Sequence, residues 1–178
     1  MSDSSPDNAA GAPALAYYRP PTGLSVRAVN AVVGWLARHG ISLYGSAELV
    51  VAGRISGTPQ RVAVNPLTVH GERFLVAPRG ATDWVRNMRA AGGHAELRLG
   101  RRTEPLIGVE LADGDPVAIE VLREYVRRWG WEVQAMLPEP IDTDADAQQL
   151  ARVAAQLPMF RVAVDGDVGL RSGSGRQP

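Results

Sequence analysis

The chain of 178 residues contains no cysteine and no lysine. Without cysteine there can be no disulfide, thiol nucleophile, iron–sulfur cluster or cysteine-ligated zinc, and without lysine there can be no Schiff base on a lysine amine. Only His39, His70 and His94 offer an imidazole, and no two of them are spaced as a ligand pair on a helix. The sequence therefore predicts no metal site.

Long apolar runs are also missing. No stretch approaches the roughly eighteen uninterrupted apolar residues of a bilayer span, and the first residues, MSDSSPDNAAGAP, lack the basic and then apolar order of an export signal. These absences predict a cytoplasmic protein. The length fits one domain, and an apolar content of 45% is enough for an ordinary core.

Charge is balanced overall but unevenly distributed along the chain. Residues 54–102 contain nine arginines and three acidic residues, a net charge of +6, whereas residues 103–150 have a net charge of −8. The basic segment predicts an anionic ligand, unless the two segments neutralise each other across the fold. Aromatic residues make up 6% of the chain and do not alternate with the arginines, so no nucleic-acid partner is expected.

The periodic segments predict an α+β fold. Helical periodicity marks residues 26–40, 82–93, 116–129 and 145–157, and the period of two that strands show marks residues 47–53, 61–69, 72–78, 94–100, 105–111 and 159–164. Short strands joined by tight turns favour an antiparallel barrel or sheet, and no glycine-rich βαβ fingerprint is present. Composition predicts mobile ends at residues 1–23 and 165–178 around one domain at 24–164.

Two neighbouring segments contain the residues best suited to bind a ligand. GRISGTPQRVAVNPL, residues 53–67, places Arg54 and Arg61 around a glycine turn that also contains Ser56, a set of donors suited to phosphate or carboxylate. A solvated hairpin tip is the alternative interpretation. In APRGATDWVRNMRAAG, residues 77–92, a turn leads into a helix on which Trp84 and Asn87 share a face with Met88. That face suits a flat heteroaromatic ring, or simply the core.

Together, these segments resemble one protein family. G53-R54-x-S56-G57-x-P59-x-R61, N65-P66-L67, A77-P78-R79-G80 and W84-x-x-N87 are similar to the deazaflavin-dependent nitroreductase and quinone reductase branch of the flavin/deazaflavin oxidoreductases. The resemblance covers residues 46–112. It implies a split β-barrel of the FMN-binding, pyridoxamine-phosphate-oxidase-like type, with about six antiparallel strands and flanking helices. It also implies coenzyme F420 as cofactor and hydride transfer to a quinone, enone, imine or nitro compound.

The resemblance implies roles for residues by position. The anionic tail of F420 would be held by Arg54, Ser56 and Arg61, with Ile55 standing where many members have a lysine. The ring and linker would be contacted by Val64, Asn65, Pro66, Leu67, Ala77, Pro78, Arg79 and Gly80, and oriented by Trp84 and Asn87. Pro78 stands where some members have a serine, and proline offers neither a hydroxyl nor an N–H.

The resemblance says less about catalysis. Tyr125 is the candidate proton donor, although its helical stripe also fits a core residue and solvent could supply the proton. Trp129, Trp131 and Met136 fall in the segment that shapes the acceptor pocket in this family. FMN on the same barrel, and a non-catalytic protein that binds cofactor or lipid, remain alternatives. The expected partner is a small-molecule hydride acceptor, the chain is a monomer or a homodimer, and the helix at 26–40 either covers the core or associates weakly with a membrane.

Overall fold

The computed structural model describes residues 46–165. Its strands are β1 (Ala47–Ala52), β2 (Pro59–Val64), β3 (Leu67–Val69), β4 (Glu72–Val76), β5 (His94–Leu99), β6 (Arg102–Glu110) and β7 (Met159–Val164). Its helices are α1 (Asp83–Ala90), α2 (Val117–Val133) and α3 (Ala147–Ala154), with a 3-10 turn at Gln134–Met136. The predicted helix at 26–40 and, except for Asp165, the predicted mobile ends lie outside these residues. No helix between residues 46 and 165 has the length and apolar character needed to cross a bilayer.

All seven strands form one antiparallel sheet in the order β2-β1-β5-β6-β7-β4-β3. The two edge strands, β2 and β3, are consecutive in the chain and are joined only by Asn65 and Pro66. That link spans at most about 11 Å, whereas the edges of a flat seven-stranded sheet would lie roughly 29 Å apart. The sheet must therefore curl until its edges meet. The predicted split β-barrel with flanking helices is confirmed.

The number of strands differs from the prediction because residues 61–69 are not one strand. The structure divides them at Asn65 and Pro66 into β2 and β3, which lie at opposite edges of the sheet. Proline has no N–H for a strand ladder and a fixed φ, so pairing stops where it stands. The apolar alternation also shifts by one position at the break, from Val62 and Val64 to Leu67 and Val69, so the periodicity itself marks the change of strand.

Each face of the curled sheet has its own apolar core. The barrel core, inside the curl, contains Trp84, Val85 and Met88 of α1 together with strand residues Ala47, Leu49, Val51, Val64, Leu75, Ala77, Leu97, Leu106, Phe160 and Val162. The helical core, on the outer face, joins α2 and α3 to Leu67, Phe74, Val76 and Met159 of the sheet. The buried face of α1 thus packs on the barrel core, while α2 and α3 form a layer on the other face of the sheet.

Candidate functional site

The turn between β1 and β2 is held in shape by its own backbone. The N–H of Gly53 donates to the carbonyl of Thr58 at 3.0 Å, and the N–H of Gly57 donates to the carbonyl of Gly53 at 2.8 Å. The Ser56 hydroxyl oxygen accepts from the N–H of Thr58 at 3.2 Å. Gly57 has a φ of 68°, which favours glycine at that position. These contacts define the position of Arg54, next to Gly53.

Arg54 connects this turn to α1. Its backbone N–H and its Nη1 both donate to Oδ1 of Asn87, each at 3.1 Å. Nη1 also donates to Oδ1 of Asp83 at 3.0 Å. Asn87 is only 3% exposed, so a buried amide oxygen receives two of these bonds. The two sequence segments that carry the family resemblance meet at this contact.

The guanidinium of Arg54 retains donors for a ligand. A guanidinium has N–H groups on Nε, Nη1 and Nη2, and the edge formed by Nε and Nη2 can bind a carboxylate or phosphate through two bonds. Between residues 46 and 165, the hydrogen bonds of this side chain all come from Nη1. The side chain is 33% exposed. Arg54 is therefore anchored through one nitrogen while a bidentate edge remains available to an anion.

The turn between β4 and α1 lies against the segment that leads into β7. The N–H of Ala77 donates to the carbonyl of Pro158 at 2.9 Å, and the N–H of Gly80 donates to the carbonyl of Ala77, also at 2.9 Å. Gly80 is buried and has a φ of 75°, whereas Pro78 and Arg79 are half-buried. The bond between Gly80 and Ala77 therefore closes this predicted cofactor turn, and the bond to Pro158 attaches the turn to the segment before β7.

Thr82, which directly precedes α1, has only part of the geometry of a helix cap. Thr82 has the extended backbone of a capping residue, but its side chain makes no capping bond. Among the residues described here, its Oγ1 is one of the buried polar atoms without a hydrogen-bond partner. Thr82 directly precedes Asp83, whose carboxylate accepts a hydrogen bond from Arg54.

Trp84 and Asn87 share the buried face of α1, as the spacing predicts. The indole is 9% exposed, and its ring centroid lies 5.6 Å from that of Phe160 at an angle of 51°. Trp84 is thus part of the barrel core and supports the helix that carries Asn87. The structure gives it the role of a core residue, which the sequence left open.

Arg61 has a different acidic partner from Arg54. It pairs with Val50 across β1 and β2, which puts its side chain on the same sheet face as that of Glu48. Its Nη1 lies 3.7 Å from Oε2 of Glu48, and Nη1 of Arg98 lies 3.8 Å from the same oxygen. Glu48 is 2% exposed, so the two arginines flank a buried carboxylate. Glu48 was not among the predicted site residues, because its position depends on the strand register.

The segment joining the barrel edges passes between the two cores. Val64 packs in the barrel core and Leu67 in the helical core. Between them, the side chain of Asn65 hydrogen-bonds to the hydroxyl of Tyr125 on α2. Asn65 therefore ties the joined edges of the barrel to the helical layer.

Tyr125 lies deep in the helical core. Its side chain is 3% exposed, and its ring centroid lies 5.2 Å from the Trp129 ring. Burial raises the pKa of its hydroxyl well above the ordinary range, and the charge of Glu132 adds to this effect, whereas the hydrogen bond with Asn65 acts in the opposite direction. A buried phenol that resists ionisation suits the core role. Its role as a proton donor stays a prediction.

The residues predicted for the acceptor pocket do not converge. Trp129 is 3% exposed in the helical core, whereas Trp131 is 72% exposed. Two residues apart on an α-helix correspond to a rotation of about 200°, so these side chains leave α2 on nearly opposite sides. Met136 is half-buried in the 3-10 turn, and Ile55 in the predicted tail-binding turn is 90% exposed.

A cavity of about 410 Å³ is lined by none of the predicted site residues, although Ala81 in its wall directly follows Gly80. It is bounded by the end of α1, the loop from β6 to α2, and the end of α3 with the segment leading to β7. Arg89 and Glu110 form a bidentate ion pair in its wall, with N–O distances of 2.7 and 2.6 Å. No local sequence pattern indicates this cavity, because it is formed by elements distant in the chain.

No protein-family profile and no curated protein matches this chain. Solved structures of similar fold include an F420-H2 dependent reductase, FDR-A, with 18% identity, a TM-score of 0.43, and coverage of 67% of this chain and 94% of that one. An F420 reductase shows 13% identity, a TM-score of 0.43, and coverage of 74% and 92%. The heme storage protein HutZ from Vibrio cholerae shows 10% identity, a TM-score of 0.47, and coverage of 69% and 83%.

Proposed function

We propose that this protein is an F420H2-dependent reductase that transfers a hydride to a small quinone, enone, imine or nitro compound. The observation that supports the proposal is the contact of Arg54 with Asn87. It brings together the two segments whose motifs resemble the deazaflavin-dependent family, and it leaves an arginine edge available for an anion.

The donors of the β1–β2 turn fit an anionic cofactor tail. Arg54 offers Nε and Nη2, and the Ser56 oxygen accepts from Thr58 and so keeps its own proton for a ligand. At Gly57, no heavy atom lies within 4 Å of the position of a Cβ, so the backbone there can be approached closely. Arg61 fits less well, because it already lies beside the buried carboxylate of Glu48. We therefore assign the main tail contact to Arg54.

When bound, the reduced deazaflavin would supply the hydride. The part of this chain would be to hold the anionic tail at Arg54 and Ser56, with α1 kept in place by Trp84 in the barrel core. We assign the proton that follows the hydride to solvent, because Tyr125 is enclosed in the helical core and resists ionisation.

Titration of the purified protein with oxidised F420, followed by cofactor fluorescence, tests the proposal. Arg54→Ala should weaken binding by about 1.5–3 kcal/mol if the guanidinium makes a charged hydrogen bond to the tail. Arg101→Ala is the matched control, because Arg101 is an exposed arginine of the β5–β6 turn. The absence of saturable binding at tens of micromolar cofactor would overturn the proposal.

Two other results would replace the proposed function with another. A protein that is yellow as purified, and that releases FMN on denaturation, would assign the same barrel to a flavin. Tight binding of F420H2 without oxidation by any quinone, enone, imine or nitro compound would identify a cofactor-binding protein without reductase activity.

A further inference from the structure

The arginine proposed to bind the cofactor tail already contacts a carboxylate of its own chain. Asp83, the first residue of α1, accepts from Nη1 of Arg54 at 3.0 Å, and its Oδ1 also lies 3.6 Å from Nη1 of Arg86. The Asp83 side chain is 73% exposed, so it lies at the surface from which a ligand would approach. An incoming anion would therefore meet one negative charge next to the two positive ones.

Asp83 is not needed to hold Arg54 in place. The buried Oδ1 of Asn87 accepts from both the backbone N–H and the Nη1 of Arg54, and Asn87 is a neutral residue. Asp83 provides a second acceptor for the same guanidinium, and this acceptor carries a negative charge. Asp83 therefore mainly adds negative electrostatic potential to the site. This potential decreases as the salt concentration rises, because the carboxylate is exposed.

We propose that Asp83 is a specificity-determining residue that lowers the affinity of the Arg54 site for anions, and that its effect increases with the charge of the ligand. This inference rests on the proposed function in naming the F420 tail as the anion. The physical basis is the repulsion between the Asp83 carboxylate and any phosphate or carboxylate bound at Nε and Nη2 of the same guanidinium.

Asp83→Asn isolates the charge. Asparagine keeps a side-chain oxygen that can still accept from Nη1, so the contact with Arg54 can survive while the negative charge is removed. We expect Asp83→Asn to bind F420 about 3- to 10-fold more tightly at about 50 mM NaCl, and the gain to shrink at about 500 mM NaCl. Asp113→Asn is the matched control, because it removes the same charge from the exposed loop between β6 and α2. It should leave the affinity within about twofold of the original protein.

A second probe separates this inference from the proposed function. Inorganic pyrophosphate, followed by the NMR signal of the Arg54 Nε–H group, should also bind more tightly to Asp83→Asn. If F420 does not bind but this gain for pyrophosphate appears, the proposed function fails and the inference stands. If F420 binds and Asp83→Asn leaves its affinity unchanged or weaker, or gives a gain that does not depend on salt, the inference is overturned. Thermal unfolding verifies the fold of each variant, and Asp83→Ser replaces Asp83→Asn if the latter does not fold.

Discussion

The barrel core and the helical core lie on opposite faces of the same sheet, and they differ in the partners of their buried polar groups. In the helical core, the Tyr125 hydroxyl is enclosed and bonds with Asn65 of the segment that joins the barrel edges. Beside the barrel core, the buried Asn87 bonds with Arg54, whose side chain is 33% exposed. The contact of Tyr125 with Asn65 joins two internal parts of the fold, whereas the contact of Asn87 with Arg54 connects the interior to the surface.

This difference shows where a ligand can be recognised. A polar group whose hydrogen bonds are all made within the core stabilises the fold but has no donor or acceptor left for a ligand. A buried amide that bonds an exposed guanidinium instead holds that cation in a fixed position, where it can bind an anion. We therefore propose the corner formed by the β1–β2 turn and α1 as the place where a ligand binds. The layer of α2 and α3 supports the barrel from outside.

Trp129→Ala would test the helical core where its effect should be largest. The indole is 3% exposed and packs against Tyr125, so its removal should leave a cavity and lower the free energy of unfolding by about 3–5 kcal/mol. Urea unfolding measures this loss. F420 affinity at a temperature where the variant is folded should stay within about twofold, because the site is on the other side of the sheet. A large loss of affinity in folded protein would show that the two regions are coupled.

Asn87→Ala should affect both stability and binding. It removes the buried oxygen that accepts twice from Arg54, so we expect a loss of about 1–3 kcal/mol in the free energy of unfolding, together with weaker F420 binding. Urea unfolding and fluorescence titration measure the two effects. Asn87→Asp, which keeps the acceptor, should retain most of the stability. If Asn87→Ala bound F420 as tightly as the original protein, Asn87 would not position Arg54 for the cofactor.

Much of the fold could be predicted because the strands alternate regularly and their turns contain glycine. Glycine-containing turns at His70–Gly71 and Gly100–Arg101 lie between paired strands. The split of residues 61–69 was not foreseen, although Pro66 and the phase shift from Val64 to Leu67 were available signals. Which strands end up at the sheet edges depends on long-range pairing, which local periodicity does not record.

The site could be predicted only in part. The resemblance assigned Arg54 to the cofactor tail and Asn87 to the ring, without predicting a contact between them, and the structure joins the two residues directly. The i, i+4 spacing of Asp83 and Asn87 on α1 could also have indicated that Asp83 reaches Arg54. The partner of Arg61 could not be foreseen, because Glu48 comes into reach only through the register of β1 with β2. The divergence of Trp129 and Trp131 follows from helix geometry and was detectable in the sequence.

Tyr125→Phe would distinguish the internal polar contact from a catalytic one. Loss of the bond with Asn65 should cost about 0.5–1.5 kcal/mol of unfolding free energy at neutral pH. Because the pKa of the folded-state hydroxyl is raised above its ordinary value of 10.0, the folded protein resists ionisation there, and its stability should fall as the pH rises above that value. The phenylalanine variant should lack this contribution to the alkaline loss. A reductase rate more than about 100-fold lower in the folded variant would instead make Tyr125 the proton donor.

The smallest expected effect is on the exposed side of the helical layer, at Glu124 of α2. Hydrogen bonds from Arg127 and then Arg128 lower the pKa of Glu124 to about 2, although partial burial opposes the shift. Pairs of this kind on a helix surface contribute little, so Glu124→Gln should cost less than about 1 kcal/mol at neutral pH and low salt. The contribution is complete above the ordinary pKa of 4.5 and should disappear as the pH falls from there towards 2, because the carboxylate becomes protonated. Urea unfolding at several pH values measures this difference. A loss as large as that expected for Trp129→Ala would mean that the helical layer depends on surface charge rather than on its apolar contacts.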